Sequence, residues 1–240
     1  MILKNKKHKI QSSNGSTRND MRKFRTILNL VLVGLLLISI NGCVVKRLFE
    51  FKNQLKDPRR YIHFKIPGVL VLTKPVLQLE DIELLTGISP SELNQNSATY
   101  YFIREDSPVH SLTYKLVFKD KKLHKIDYPD IFFNAIASSF AFESLALFGQ
   151  ASNPEQSNWS ITNSGQTLSS VPTQDEMVSL LGPPSSKVIF SFLEIYHYDY
   201  LHPTINGQQK IRISINFHLK TKIIEAITII FPDRQWQINL

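Results

Sequence analysis

Apolar residues in this chain form one unbroken run near the start and short alternating segments after it. The run covers 27–43, reads ILNLVLVGLLLISINGC, and directly follows the basic residues Arg22, Lys23 and Arg25. Positive charge, then an apolar run, then a small residue at a cleavage point is the order of a secretory signal peptide. The run therefore predicts an N-terminal signal helix.

The later segments follow one order twice: a short helix that ends at glycine, then three strands. The helices are predicted at 79–87 and 175–182. The strands are predicted at 99–103, 112–118 and 123–128, and again at 194–200, 211–217 and 223–231. We therefore predict an α+β fold of two helix-plus-three-stranded antiparallel meander units, as an internal duplication would produce. Chance recurrence of a common arrangement is the alternative.

A long apolar helix is predicted between the units, at 131–148, with Asp130 as its N-cap and Gly149 after its end. Polar residues such as Asn134 and Glu143 favour a helix that bridges or covers the two sheets over one that crosses a membrane. The predicted domains are a leader and signal peptide at 1–42, a tether with a first strand at 43–75, the first unit with the long helix at 76–149, a linker at 150–172, and the second unit at 173–240.

The end of the apolar run, Ile40-Asn41-Gly42-Cys43, resembles the lipobox of bacterial lipoproteins. This resemblance implies that Cys43 is acylated, becomes the mature N-terminus and anchors the protein in the membrane. Val44, rather than Asp, follows the cysteine, so we expect sorting to the outer membrane, facing the periplasm. The alternative is an uncleaved transmembrane helix, since 27–45 approaches the roughly 20 residues that a bilayer requires. Translation could start at Met1 or at Met21.

The net charge of +8 belongs mostly to the leader. Residues 1–42 hold eight of the 28 Lys and Arg residues but only one of the 20 acids, Asp20. The remaining chain is close to neutral, which removes the main support for nucleic-acid binding.

Motifs for catalysis are missing from the sequence. Cys43 is the only cysteine, so disulfides, cysteine zinc sites and a cysteine nucleophile are excluded. The sequence contains no G-x-S-x-G motif and no glycine-rich phosphate loop. The acidic residues Glu80, Asp81 and Glu83 are typical of a helix N-terminus, where they complement the helix dipole. We expect a protein that is not an enzyme and needs no cofactor.

One group of residues has the chemistry of metal ligands: His197, Asp199 and His202 form H-x-D-x-x-H. On a strand, 197 and 199 point to one face, and His202 would have to fold in from the strand end. The alternative is that the tyrosines between them fill the inner face while 197 and 199 face water.

The residue pattern of the last long strand, 223–231, predicts that both faces of this strand are covered. Ile223, Ile227 and Ile229 alternate with residues that are also apolar, including Ile224 and Ile230. A strand that is apolar on both faces is not expected at an open sheet surface. The second face, marked by Ile224 and Ile230, is predicted to pack against the other unit or helix 131–148, or else to bind a partner protein.

A family resemblance rests on the second unit. A helix ending in Leu180-Leu181-Gly182 before Pro184, a strand with Tyr196 and Tyr198, and a strand ending at Phe217 are similar to the SmpA/OmlA (BamE-like) lipoproteins of the outer-membrane β-barrel assembly machine. That family shares its shape with β-lactamase inhibitor proteins, which carry the unit in tandem. The resemblance covers 171–231 and, more faintly, 77–128.

These observations together predict a lipid-anchored, non-catalytic binding or scaffolding module with an envelope protein partner. The resemblance implies a role in outer-membrane protein assembly. The alternatives are a periplasmic metal-binding protein or hydrolase that uses His197, Asp199 and His202, and an inhibitor of a cell-wall hydrolase.

Overall fold

A computed structural model of the chain describes residues 43–65, 68–129, 136–150, 158–163 and 168–240. The signal peptide, Asp130 and Asn134 lie outside these residues. The range Val45–Leu240 forms one folded unit, whose regular structure consists of two sheets and five helices within the described residues.

The first sheet contains the six strands that precede residue 130. They are β1 (Ile62–Lys65), β2 (Val69–Leu72), β3 (Glu92–Asn94), β4 (Ser97–Phe102), β5 (Leu112–Lys119) and β6 (Lys122–Asp127). Their spatial order is β1-β2-β6-β5-β4-β3, and every neighbouring pair is antiparallel.

The second sheet contains the six strands of the C-terminal part. They are β7 (Asn158–Thr162), β8 (Ser186–Phe190), β9 (Leu193–Thr204), β10 (Gly207–His218), β11 (Ile224–Ile230) and β12 (Gln235–Asn239). Their spatial order is β7-β12-β11-β10-β9-β8, antiparallel except for the parallel pair β12 and β7. The α+β class is thus confirmed, but the three-stranded units are wrong, since each meander lies in a six-stranded sheet.

The helices are short and lie between or beside the strands. They are α1 (43–55), α2 (Pro58–Tyr61), α3 (Leu79–Thr86), α4 (Ser138–Gln150) and α5 (Gln174–Leu181), with one 3-10 turn at Pro108–His110. Among the described residues, none of the helices has the length and apolar character needed to span a bilayer.

Helices α3 and α5 begin and end in the same way. The carboxylate of the third helical residue, Asp81 or Glu176, accepts a hydrogen bond from the backbone N–H of the N-cap residue, at 2.8 and 2.7 Å. This arrangement pairs a backbone donor that the helix leaves unpaired. Both helices stop at a glycine with positive φ, Gly87 at 71° and Gly182 at 78°.

The same sequence of elements follows each of these helices: four antiparallel strands in chain order, β3 to β6 and β8 to β11. A register shift interrupts both sheets at one equivalent point, between Val117 and Phe118 and between Asn216 and Phe217. The predicted order of helix and strands therefore recurs. Each helix is followed by four strands rather than three, since β3 and β8 were not predicted.

Three predicted segments differ from the structure. The range 43–75, predicted as a tether with a first strand, contains the hairpin of β1 and β2, and Gly68 between them adopts a positive φ of 68°. The predicted linker at 150–172 includes β7, which pairs with β12. The described part of the helix predicted at 131–148 runs from Ser138 to Gln150.

Helix α4 contacts both sheets, as predicted for a bridging helix. The ring of Phe142 lies 4.7 Å from that of Phe64 in β1. Near the other end of α4, Leu147 is buried against Ile161 of β7 and Ile238 of β12. Burial of these apolar side chains holds the outer strands of both sheets to one helix.

The two sheets meet where β4 and β9 pass each other. Ile103 and Leu201 exchange two backbone hydrogen bonds, of 2.8 and 2.9 Å, as an antiparallel bridge. Since the two strands run in opposite directions at this bridge, the first residues of β4 and of β9 lie on opposite sides of it.

Candidate functional site

The H-x-D-x-x-H residues do not converge on a common point. His197 lies on the outer face of β9, where its Nδ1 is 2.8 Å from Ser214 Oγ. Burial and the neighbouring Arg212 cation lower the pKa of His197. Asp199, on the same face, accepts two hydrogen bonds from Arg212, of 2.6 and 3.0 Å.

His202 lies on the opposite, inner face of the same strand and is fully buried. Its Nδ1 is 2.8 Å from the carbonyl oxygen of Tyr101, and its Nε2 is 2.7 Å from that of Ser89. Both nitrogens are engaged by the protein, so neither is directed at a metal shared with His197. Among the described residues, no group of His, Cys, Asp and Glu side chains is placed to hold a metal ion.

The alternative arrangement, in which the tyrosines of this strand fill its inner face, is the one observed. Tyr196, Tyr198 and Tyr200 are buried there. Burial raises the pKa of Tyr200 to about 12, so the phenol stays protonated in the core.

The acidic residues at the start of α3 have a structural role at Asp81. Arg47 of α1 donates two hydrogen bonds of 2.7 Å to the fully buried Asp81 carboxylate. Asp81 thus caps α3 and fixes α1 to the first repeat.

A groove with a volume of about 490 Å³ lies at the crossing of the two sheets. Its apolar lining includes Ile103, Leu201, Ile211 and Ile230, and two of these residues, Ile103 and Ile230, are each 38% exposed. The polar lining consists of Glu105, Asp106, Ser185, Asp199, Lys210 and Arg212. The groove thus combines apolar side chains with charges of both signs.

The charges on one wall of the groove are already paired. Two hydrogen bonds from Arg104, of 2.6 and 2.7 Å, lower the pKa of Asp106 to about 2. Arg104 is itself completely buried and also donates to the carbonyl oxygens of Leu181 and Pro183. Arg104 therefore ties the first repeat to the end of α5 and helps to shape the groove.

Among the described residues, the tip of the β8–β9 hairpin groups four exposed apolar side chains within five consecutive positions. Val188, Ile189, Phe190 and Phe192 are 46%, 61%, 69% and 58% exposed. The two-residue turn between the strands places Ser191 at a positive φ of 57°. Contiguous exposed apolar residues on a soluble domain mark interaction sites more often than scattered ones do.

The first repeat provides an internal comparison for this tip. The equivalent hairpin, β3–β4, turns through the polar residues Asn94 to Ser97. Both hairpins are built into the same kind of sheet, so the fold does not require the apolar tip of the second repeat.

A buried carboxylate supports the base of the apolar hairpin. Glu194 forms ion pairs with Lys187 of β8 and Lys222 in the turn before β11. Burial alone would raise the pKa of Glu194, but hydrogen bonds from the two lysines outweigh it and lower this pKa to about 2. The ionised Glu194 thus connects the hairpin to the neighbouring turn.

The predicted shared face of Ile224 and Ile230 is wrong. The register shift places Ile224 opposite Phe217 on the inner face, whereas Ile230 lies opposite Arg212 on the outer face. Ile224 is 3% exposed and belongs to the core, so a partner-binding role is left to Ile230 alone.

Cys43 is exposed and its sulfur forms no disulfide. Its acylation stays a prediction.

Comparison with known protein families, curated proteins and solved structures gives no match. The assignment of a function therefore depends on the surfaces described above.

Sequence reasoning missed both Arg104, which helps to shape the groove, and the apolar β8–β9 hairpin. Arg104 has no motif, because its partners are backbone carbonyls and a neighbouring aspartate. The hairpin was detectable: KVIFSFLEIY contains two runs of strand-forming residues with a two-residue turn between them.

Proposed function

We propose that this protein is a lipid-anchored, non-catalytic envelope protein that acts as a binding or scaffolding module. The observation that carries this proposal is the apolar tip of the β8–β9 hairpin, because the equivalent β3–β4 hairpin of the first repeat turns through polar residues. The four exposed apolar side chains of this tip lower the solubility of the protein, and a bound partner would cover them.

The anchor is supported by the lipobox and by the position of α1. Arg47 is only four residues after Cys43, which is a chain length of at most about 14 Å. Because Arg47 is fixed to Asp81, an acyl chain on Cys43 would hold the first repeat close to the membrane.

The tip lies at the other end of the folded unit from Arg47. The start of α3 lies beside the β5–β6 turn, where Leu123 N–H donates to the carbonyl oxygen of Leu77. From this end, β4 runs about 20 Å to the bridge at Ile103, and β9 continues about 26 Å beyond it to Leu193. The tip would therefore face away from the anchoring membrane, where a protein partner can reach it.

A role in outer-membrane protein assembly rests only on the resemblance to the SmpA/OmlA lipoproteins. The four-stranded repeats differ from the smaller unit which that resemblance implied, so we base the proposal on the lipobox and the hairpin tip. The first alternative, a periplasmic metal-binding protein or hydrolase, has less support because His197 and His202 lie on opposite faces of β9. The second, an inhibitor of a cell-wall hydrolase, rests only on the tandem arrangement of the repeats.

The experiment compares complexes formed by tagged variants of the full chain in its own envelope. Membranes are solubilised and the size of the tagged complex is measured by native electrophoresis. We expect a complex larger than the monomer for the native sequence, and a monomer for Phe190→Ser combined with Phe192→Ser. The matched control is Asn94→Ser with Asn96→Ser in the first repeat, which should leave the complex intact.

The anchor is tested separately by incorporation of labelled palmitate. Cys43→Ser should abolish the label and release the protein from the membrane fraction. Persistence of the label in this variant, or a complex of unchanged size in the tip variant, would contradict the proposal.

A further inference from the structure

The second sheet has one edge strand without the usual protection against pairing. Open edges are normally short, charged or covered, because their free N–H and C=O groups accept further strands. Of the four edge strands in the described structure, β1 exposes only the polar residues His63 and Lys65, β3 is only three residues long, and β7 carries exposed Ser160 and Thr162. By contrast, β8 has five residues, all exposed, and three of them are the apolar residues Val188, Ile189 and Phe190, with Lys187 as the single charge.

The geometry of the hairpin identifies which backbone groups face outward. Phe190 and Leu193 flank the two-residue turn and are opposite each other, so they form a hydrogen-bonded pair. Such pairs alternate along an antiparallel ladder. The N–H and C=O groups of Lys187 and Ile189 therefore point away from β9, toward the open edge.

We propose that β8 accepts an extended segment of a partner protein as the seventh strand of the second sheet. This inference rests on the proposed binding function and specifies its mode. The outward backbone groups of Lys187 and Ile189 supply the hydrogen bonds, as in other cases of strand addition. Val188 and Phe190 lie on one face and Ile189 on the other, so the added segment needs apolar residues at three consecutive positions.

Charge adds one further requirement to the partner. Lys187, at 47% exposure, is the only charged side chain of β8, and it shares the Glu194 carboxylate with Lys222, so the three groups carry a net charge of +1. A carboxylate directly opposite it on the added strand would be favourable, and a lysine or arginine there would be unfavourable. The partner segment is therefore extended, apolar over three residues and acidic at the end that pairs with Lys187.

Two other occupants fit this edge less well. A second copy of this chain would pair the five residues of β8 and little else, whereas a stable interface uses roughly 20–30 residues on each side. A lipid bilayer cannot satisfy the outward N–H and C=O groups, and open sheet edges do not occur in the hydrocarbon region. An added strand would cover the apolar side chains and would also form hydrogen bonds with the outward N–H and C=O groups.

The test measures amide hydrogen exchange by mass spectrometry on the full chain, once in its native membranes and once after purification. In the membranes, peptides that cover 186–192 should take up about two fewer deuterons, one each for the amides of Lys187 and Ile189. Peptides that cover β3 should show no difference and serve as the internal control. In the purified protein, slow exchange of β8 that depends on protein concentration would instead indicate a second copy and overturn the proposal.

A proline at one outward position separates pairing from side-chain contact. Ile189→Pro removes an outward N–H but no hydrogen bond to β9, so the protein should fold while the protection of β8 disappears. Ile189→Ala removes the side chain only and should keep the protection, with weaker binding. Circular dichroism and thermal unfolding verify that both variants fold. If the native sequence forms a complex but its β8 amides are not protected, strand addition is overturned while the binding function stands. If the native sequence forms no complex, both proposals are overturned.

Discussion

Arg104 and His202 occupy equivalent positions in the two repeats, and each packs on the aromatic pair of the other repeat. The Arg104 guanidinium lies 5.4 Å from the ring centre of Tyr198 and 5.8 Å from that of Tyr200. The His202 ring stacks on Tyr100 at 5.7 Å and on Phe102 at 5.2 Å.

The equivalence follows from the strand register. Ala98 lies opposite Leu116, and Tyr196 lies opposite Ile215, two residues before the register shift in each sheet. Arg104 and His202 each come six residues after these positions. Each also contacts a carbonyl oxygen just beyond the helix of the other repeat.

The first prediction concerns how much the contacts of Arg104 at this junction between the two repeats contribute to the free energy of unfolding. Arg104→Met removes four donated hydrogen bonds and leaves carbonyl oxygens unpaired, and we expect a loss of about 2–4 kcal/mol in the free energy of unfolding. Arg212→Met is the matched control, because its ion pair with Asp199 is about half exposed and should be worth less than about 1 kcal/mol. Urea unfolding measures both. Equal losses would mean that the junction is not a special source of stability.

The second prediction concerns the end of α5. A Cβ at Gly182 would lie 2.4 Å from His110 Nδ1, and the φ of 78° is unfavourable for alanine. Gly182→Ala should therefore cost about 2–3 kcal/mol. Gly207→Ala separates the two causes, because Gly207 also has a positive φ but no heavy atom lies within 4 Å of its added Cβ. Combining Gly182→Ala with His110→Ala should recover only the steric part, as measured by thermal unfolding.

The third prediction is a pH dependence that comes from Glu194. Its pKa falls from 4.5 to about 2 in the folded protein, so its contribution to stability is fully present above about pH 5. This contribution is lost as the pH falls from about 5 to 2, because the unfolded chain then binds the proton more strongly. Its size should be on the order of 2 kcal/mol, allowing for the half-exposed lysines.

The comparison for this prediction is Glu194→Gln. Unfolding free energies measured between pH 7 and pH 3 should decrease less in this variant than in the native sequence. Lys187→Met should flatten the same part of the profile. Parallel profiles for all three proteins would show that Glu194 does not have the lowered pKa.

The order of helix and meander could be predicted because each repeat carries local patterns that packing reinforces. The alternation of Ile211, Ile213 and Ile215 and the glycine after each helix are readable without any tertiary information. The edge strands β3 and β8 could not be assigned from alternation in the same way, because all residues of β3 and β8 are exposed and neither strand separates a buried face from a polar one.

The candidate site was less predictable because it depends on register and on contacts distant in sequence. Simple alternation placed Ile224 and Ile230 on one face, and a single extra residue at the register shift moved Ile224 to the other. His202 resembled a metal ligand in sequence, but its partners, Tyr101 and Ser89, are more than 100 residues away. The spacing of the H-x-D-x-x-H motif contains no information about those two carbonyl groups.

The last prediction uses Ile224 and Ile230 to separate core from interface. Ile224→Asp places a charge in the core opposite Phe217 and should cost about 3 kcal/mol or more, which would unfold the protein or lead to its degradation. Ile230→Asp changes a residue that is 38% exposed at the groove and should cost less than about 1 kcal/mol. If Ile230→Asp stays folded and the complex becomes smaller, the groove belongs to the partner interface together with β8. If this variant keeps the complex, the partner contacts the hairpin without entering the groove.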